Sequence, residues 1–377
     1  MSEFGEGEYA RLPADLLKEL LQNAPEVAAR VRALLEPALL QQGELRAAAH
    51  AADLIKTVDP ATPLSLCAVD GGFAVERTIA VDIVMAVAVG VEGYASPGIT
   101  PSWPENQYDS FHQVMLHNMD NERLARASMI IQELGTLADA PHDIRIYDGS
   151  HLTPVIQMNS GLSSRSEPVN QATVRFGRRR GIVESFEAFA ANPQIIAMPK
   201  YDSSNQIAQM LSSRLKNNIP GDDKYVTGLV LSGGEYTAPQ RVESNPWSAL
   251  HLTAAVGTYA EKSGLVGELN NAIRPLVERN LFYTYWKPTD LSPSYRLEIK
   301  PDLADNHTAL SAVFRSVERQ MALPFVREPY PQYLADLMAK SVGLGLNALQ
   351  AAAHLRLTRD IPELAPQLVH SYRTEGK

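Results

Sequence analysis

The sequence predicts an α/β fold in which helices pack against a single mixed sheet. Two apolar runs of strand character come first, "LSLCAVD" and "IAVDIVMAVAVGV", dominated by Val, Ile and Ala with few charges. A long helical segment and a further strand, "DIRIYD", follow, and the rest of the chain mixes the two types. Strand, strand, helix, strand in that order fits one sheet with helices against it, not separate all-α and all-β domains.

Length and composition agree. The 377 residues suffice for one large domain or two ordinary ones, with 45% hydrophobic and 20% charged residues. The run over 79–91 carries Asp82 and is too short and too β-branched for a membrane helix. The start, "MSEFGEGEYARLPADLL", lacks the basic and apolar regions of a signal peptide, so a cytoplasmic protein is expected. A single cysteine, Cys67, excludes an internal disulfide and a cysteine-rich zinc site. The net charge of −9 argues against a general nucleic-acid coat but leaves room for a local basic groove.

Each element can be read in order. Residues 13 to about 56 space Leu16, Leu20, Val27, Val31 and Leu34 as helices do, which predicts two or three helices packing on the main body or on a partner. "TVDPATP" (57–63) is a boundary, because Pro60 and Pro63 exclude regular structure. The paired strands follow, the first ending at Asp70, and then a Pro- and Gly-rich break over 96–107. A helix is predicted over roughly 108–138, ended by Pro141, and a strand ends at Asp148. The polar stretch 158–171 reads as a loop or insertion, and "VRFGRRRGIVESFEAFAANP" as basic first and then helical. "QIIAMPK" is a short strand, "YDSSNQIAQMLSSRL" a capped helix, and "YVTGLVLS", "FYTYWKP" and "YRLEIK" are strand-like. Helices around 308–321 and 330–357 end the chain.

Two carboxylates stand out. Asp70 and Asp148 each close an apolar strand, and the helix between them makes those strands parallel neighbours by a crossover. Parallel strands put equivalent ends on one edge, where open α/β sheets bind ligands. The helix offers Glu133: about six residues to its end rise roughly 9 Å, and about five strand residues back to Asp148 span roughly 16 Å. These lengths allow Glu133 to approach Asp148 without demanding it. Three clustered carboxylates repel one another unless protonated or neutralised, and Mg²⁺ or Mn²⁺ takes such oxygen ligands and supports phosphodiester hydrolysis. The plainer alternative stays open. Asp-Gly is a common turn signal, Glu133 alone reads as a solvated helix residue, and Glu122 is its rival.

"RFGRRRG" (175–181) is the one dense basic stretch. Arg175, Arg178, Arg179 and Arg180 are candidates to grip a DNA backbone and Phe176 to stack on a base, against the alternative of a solvated loop. No Gly-x-x-x-x-Gly-Lys-Ser/Thr and no Gly-x-Ser-x-Gly sequence occurs, and "VGLGLNA" fails as a dinucleotide fingerprint. Any powered movement on DNA therefore falls to another subunit. The N-terminal helices and the C-terminal tail are the expected contact surfaces.

"CAVDGG", the helix with "IIQEL", "IRIYDGSHL", "IIAMPKYDSS" and the late "PYPQYL" stand in the order seen in NurA-domain nucleases, and the chain resembles that family over roughly 64–345. The resemblance implies an RNase H-like core, Mn²⁺- or Mg²⁺-dependent cleavage of DNA, and homodimers. It also implies work with a HerA-type hexameric ATPase in DNA end processing or defence against foreign DNA. It implies a layout of an N-terminal helical region (1–58), a nuclease domain (59–345) and a C-terminal helical tail (346–377). Its acidic residues fall on Asp70, Glu133 and Asp148, its lysine on Lys200 and its late tyrosine on Tyr330. Lys200 would balance charge near the scissile phosphate, and Tyr330 would position a phosphate or stack on a base. Without the resemblance, Lys200 reads equally as a solvated strand-end lysine and Tyr330 as packing at a helix start. One departure is visible: where family members often carry a histidine, this chain has Met338, a poor ligand for a hard cation. His251 is a distant substitute. A non-catalytic RNase H-like adaptor that couples the ATPase to DNA is the alternative reading, and a phosphatase of small phosphoesters a third.

Overall fold

The computed structural model describes residues 13–94, 103, 107–201, 204–242, 252–278, 281–321 and 326–368. Three helices come first, α1 (Ala14–Gln22), α2 (Ala24–Leu40) and α3 (Gln42–Ala51), followed by the short strand β1 (Ile55–Thr57). β2 (Leu66–Arg77) and β3 (Val81–Glu92) then form a long antiparallel hairpin, with pairs from Cys67↔Glu92 to Arg77↔Asp82. Thr78 closes its turn, donating to the Val81 carbonyl from its N–H at 2.9 Å and its hydroxyl at 2.7 Å. β4 (Tyr108–Leu116) pairs along the other side of β3.

α4 (Asn121–Asp139) crosses over to β5 (Ile144–Tyr147), which lies parallel to β2 in the register Leu66↔Ile144 to Val69↔Tyr147. α5 (Thr153–Leu162), α6 (Glu167–Arg179) and α7 (Ile182–Ala191) lead to β6 (Ile195–Ala197), parallel to β5. The strand order β4-β3-β2-β5-β6, three antiparallel strands and then two parallel ones, is the RNase H-like arrangement.

The chain then builds α8 (Gln206–Leu215), α9 (Asp223–Val230), β7 (Glu235–Thr237), β8 (Gln240–Arg241), α10 (Tyr259–Lys262), α11 (Leu265–Glu278), β9 (Phe282–Lys287) and β10 (Tyr295–Ile299). These strands, with β1 paired antiparallel to β7, extend the sheet beyond β6, where β10 pairs antiparallel, to ten strands among the described residues. α12 (Pro301–Ala304), α13 (His307–Arg319), α14 (Tyr330–Lys340), α15 (Val342–Asp360) and a 3₁₀ turn, Ala365–Leu368, follow. Among the described residues no helix is long and apolar enough to cross a membrane.

Alternation along the central strands divides the core. Val69 and Tyr147 pack on Ile130, Ile131 and Leu134 of α4, while Ala68, Ile146 and Ile196 pack with Phe314 and Val317 of α13. Burying each of those large side chains stabilises the fold by about 1.5–3 kcal/mol. A third cluster joins Leu45 of α3, Leu211 of α8 and Val226 of α9 to Tyr283 and Tyr285 of β9.

Four readings of the sequence are corrected. Residues 108–116 are a strand, not the start of a helix. Their buried Phe111 and Met115 are four apart, a spacing that serves one face of a strand as well as of a helix. The expected loop at 158–171 is mostly helix, in α5 and α6. Its polar residues are satisfied internally, as where buried Asn170 donates to the Leu162 carbonyl at 2.8 Å. The strand expected at "YVTGLVLS" is α9, started by Asp222, which accepts from the Tyr225 N–H at 2.8 Å. Asp70 does not end its strand, because β2 continues to Arg77.

Candidate active site

Extending the β2–β5 register by one residue sets Asp70 opposite Asp148, on neighbouring parallel strands roughly 4.8 Å apart. The two glycines after Asp70 explain how helices reach it from both sides. A Cβ at position 71 would stand 2.4 Å from Glu133 Oε1 of α4, and one at position 72 would stand 2.1 Å from the Ala339 carbonyl of α14. Successive strand residues face opposite ways, so α4 and α14 lie on opposite faces of β2. Only glycine lets both approach so closely. "DGG" is thus a carboxylate followed by two points of close approach, and at Asp70 it makes no turn.

Glu133 comes in through the gap at Gly71. It is 3% exposed, accepts from the Tyr147 hydroxyl, and its Oε2 has no hydrogen-bond partner among the described residues. From the other face, α14 presents Gln332 and Asp336, one helical turn apart. Gln332 Nε2 donates to Asp148 Oδ1 at 2.8 Å and to the Met198 carbonyl at 3.2 Å. Asp70, Asp148 and Asp336 each offer an oxygen, all within 4.8 Å of one another.

Lys200, three residues beyond β6, is the counter-charge. Its Nζ lies 2.8 Å from Asp148 Oδ2, 3.1 Å from Glu328 Oε2 and 3.3 Å from Asp336 Oδ1. Burial disfavours its charge, but Asp148 and Glu328 outweigh that and hold its pKa above the ordinary lysine value. Burial, and next the Asp148 charge, push Asp70 up to about 7, although the Gly71 N–H and Lys200 pull the other way. Burial, reinforced by Asp70 and Asp148, raises Glu133 well above the usual carboxylate range. Asp336 is lowered: burial works against its charge, but Lys340 and Lys200 prevail. Burial thus favours the protonated form of Glu133 and of Asp70 over the ordinary carboxylate.

The structure thus brings Asp70, Asp148 and Lys200 together, while the carboxylates within 4.8 Å of one another are Asp70, Asp148 and Asp336, and Glu133 stands at the gap beside Gly71. Glu122, the rival to Glu133, instead pairs with Arg126 at 2.6 Å on the exposed start of α4. Tyr330 opens α14 and stacks on Tyr94, ring centroids 5.2 Å apart and 9° from parallel. The basic stretch is the end of α6 and its cap, not a free loop. Phe176 is corrected as a base-stacking residue. It is 4% exposed, with Phe111 at 4.6 Å and the Arg179 guanidinium over its ring at 5.3 Å. Arg178 pairs with Glu268 and Arg180 with Asp109. Arg175 and Arg179 line a groove of about 370 Å³ beside β4 with Gln113 and Gln171. Met338 is half-exposed, two residues beyond Asp336 on α14. His251 lies outside the described residues.

Sequence reasoning missed Asp336, Gln332 and Glu328. The signal for the first two was a polar pair at i, i+4 in "YPQYLADL". Nothing local says which structure that pair faces.

No protein-family model and no curated protein matches the chain. Solved structures do. The NurA nuclease from Sulfolobus solfataricus superposes with a TM-score of 0.55 at 12% identity, over 93% of this chain and 99% of that one. A structure of NurA with manganese superposes with a TM-score of 0.51 at 11% identity, over 89% and 98%. At such identities the likeness speaks for architecture, and the chain has a NurA-like, RNase H-like fold.

Proposed function

We propose that the protein is a divalent-metal-dependent DNA nuclease that hydrolyses phosphodiester bonds, with Asp70, Glu133 and Asp148 as the carboxylates that hold Mn²⁺ or Mg²⁺. The observation that carries this reading is Glu133: a buried carboxylate with an oxygen that has no hydrogen-bond partner among the described residues, its pKa raised by burial and by the charges of Asp70 and Asp148. A carboxylate so placed is costly unless protonated or matched by a cation, and an all-oxygen donor set suits a hard divalent ion. The structural neighbour solved with manganese supports the same choice. A bound ion of this kind supplies Lewis acidity, lowering the pKa of water and offsetting charge on phosphoryl oxygens.

The chain's own residues do the rest. Gln332 and Lys200 fix the two oxygens of Asp148, so its orientation is set before any ligand arrives. Lys200, held by three carboxylates, places a positive charge where a phosphate would enter and can balance charge developing on it. Tyr330, backed by Tyr94, offers a ring to a base. Exposed Arg175 and Arg179 are the members of the basic stretch suited to the DNA backbone. We assign homodimerisation and a HerA-type hexameric ATPase partner to the same reading, supported by the exposed leucines of α1 and α2 and the absence of a phosphate-binding loop.

The test is cleavage of end-labelled DNA with Mn²⁺, with Mg²⁺ and with EDTA, for wild type and Asp70→Ala. Wild type should cut only with metal, and the variant should lose at least about a hundredfold. Equal cutting by both would sink the assigned site. No cutting by either, even with the ATPase added, would favour the adaptor, the reading that Met338 keeps in view.

A further inference from the structure

We propose that Asp336 is a fourth carboxylate ligand of this cation site, delivered by α14 from the face of β2 opposite Glu133. The inference rests on the metal-dependent reading above and adds a residue that the sequence motifs do not assign.

Three observations carry it. The oxygens of Asp70, Asp148 and Asp336 lie within 4.8 Å of one another, little more than the roughly 4.2 Å between opposite oxygens around a Mg²⁺-sized ion. Glu133 adds a second, independent pointer, because its buried Oε2 has no hydrogen-bond partner among the described residues and its side chain reaches Gly71, the residue after Asp70. The phase of α14 is the third. Ala335 and Ala339 are buried, and Ala339 packs on Gly72. That docking turns Gln332 and Asp336 to the site and leaves Met338 half-exposed. At position 336 the helix presents a carboxylate to the site, and an oxygen donor suits a hard ion.

Asp336 also pairs with Lys200 at 3.3 Å and Lys340 at 2.7 Å. The competing role is therefore to anchor Lys200 and nothing more. Mn²⁺ binding to the full chain without DNA, measured by calorimetry and by electron paramagnetic resonance of the free ion, separates the two. Asp336→Asn should weaken Mn²⁺ binding at least about tenfold. The same loss should persist when Lys200→Met/Asp336→Asn is compared with Lys200→Met, a pair in which no unmatched lysine is left at position 200. An affinity unchanged in Asp336→Asn, or a loss that vanishes in the Lys200→Met background, would overturn the proposal while leaving the metal site intact. Failure of wild type to bind Mn²⁺ at all would overturn both.

Discussion

Asp70 carries a pH signature of the site that falls near neutrality. Its folded-state pKa of about 7 lies above the ordinary 3.8, chiefly through burial and then through the Asp148 charge. The folded chain therefore keeps a proton that the unfolded chain has released, and stability of the metal-free protein falls as pH rises from about 4 through about 7. Asp70→Asn removes that titration. It should melt a few degrees higher than wild type at pH 8 without metal, and at the same temperature as wild type near pH 4, as thermal melts in EDTA can check. Mn²⁺ competes with those protons, so its affinity for wild type should fall steadily as pH drops below 7. A flat affinity from pH 8 to 5.5 would speak against Asp70 as a ligand.

At the level of elements, the site depends on how closely two helices approach one strand. Gly71→Ala pushes on the flexible end of Glu133 and on Met129, whereas Gly72→Ala pushes on the backbone of α14 at Ala339. Side chains give way more cheaply than a helix backbone, so Gly72→Ala should destabilise more, by about 1–3 kcal/mol as overpacking typically does. Gly71→Ala should leave the melting temperature closer to wild type and act mainly on Mn²⁺ affinity, through displaced Glu133. Denaturant melts and metal titrations of the two variants should show this crossed pattern. An equal, small stability loss in both would mean that the helices are not held this closely to β2.

On the scale of the whole molecule, the N-terminal helices differ from the rest. α1 buries no residue, and Leu16, Leu20, Leu21, Val27, Val31 and Leu34 along α1 and α2 are all exposed. The self-association proposed above would rest on this apolar stripe. α3 behaves differently: Leu45 and Ala49 are fully buried, and Arg46 pairs with Glu235 at 2.8 Å. Removing residues 1–22 should therefore change the melting temperature by no more than about 2 °C and lower the mass seen by sedimentation. An unchanged mass would place self-association elsewhere. A large drop in melting temperature would mean that α1 packs on its own body.

What was legible in the sequence was local or one crossover away. The strands before Asp70 and Asp148, the helix between them and the parallel relation that a crossover imposes all follow from periodicity and connection rules, and the register then puts those two aspartates side by side. Polar spacing misled where one pattern serves two structures: Phe111 and Met115 suit a helix or a strand, and the residues of 158–171 hide their polarity in internal hydrogen bonds. The tertiary structure alone decided what meets across long separations. Gln332 reaches Asp148 from 184 residues away, Asp336 arrives because Ala339 docks on Gly72, and Phe176 is buried against Phe111 and the Arg179 guanidinium. Hydrophobic period reports which face of an element is buried. Which other element covers that face is set by packing of the whole chain, and that packing is what brought α14 to the carboxylates.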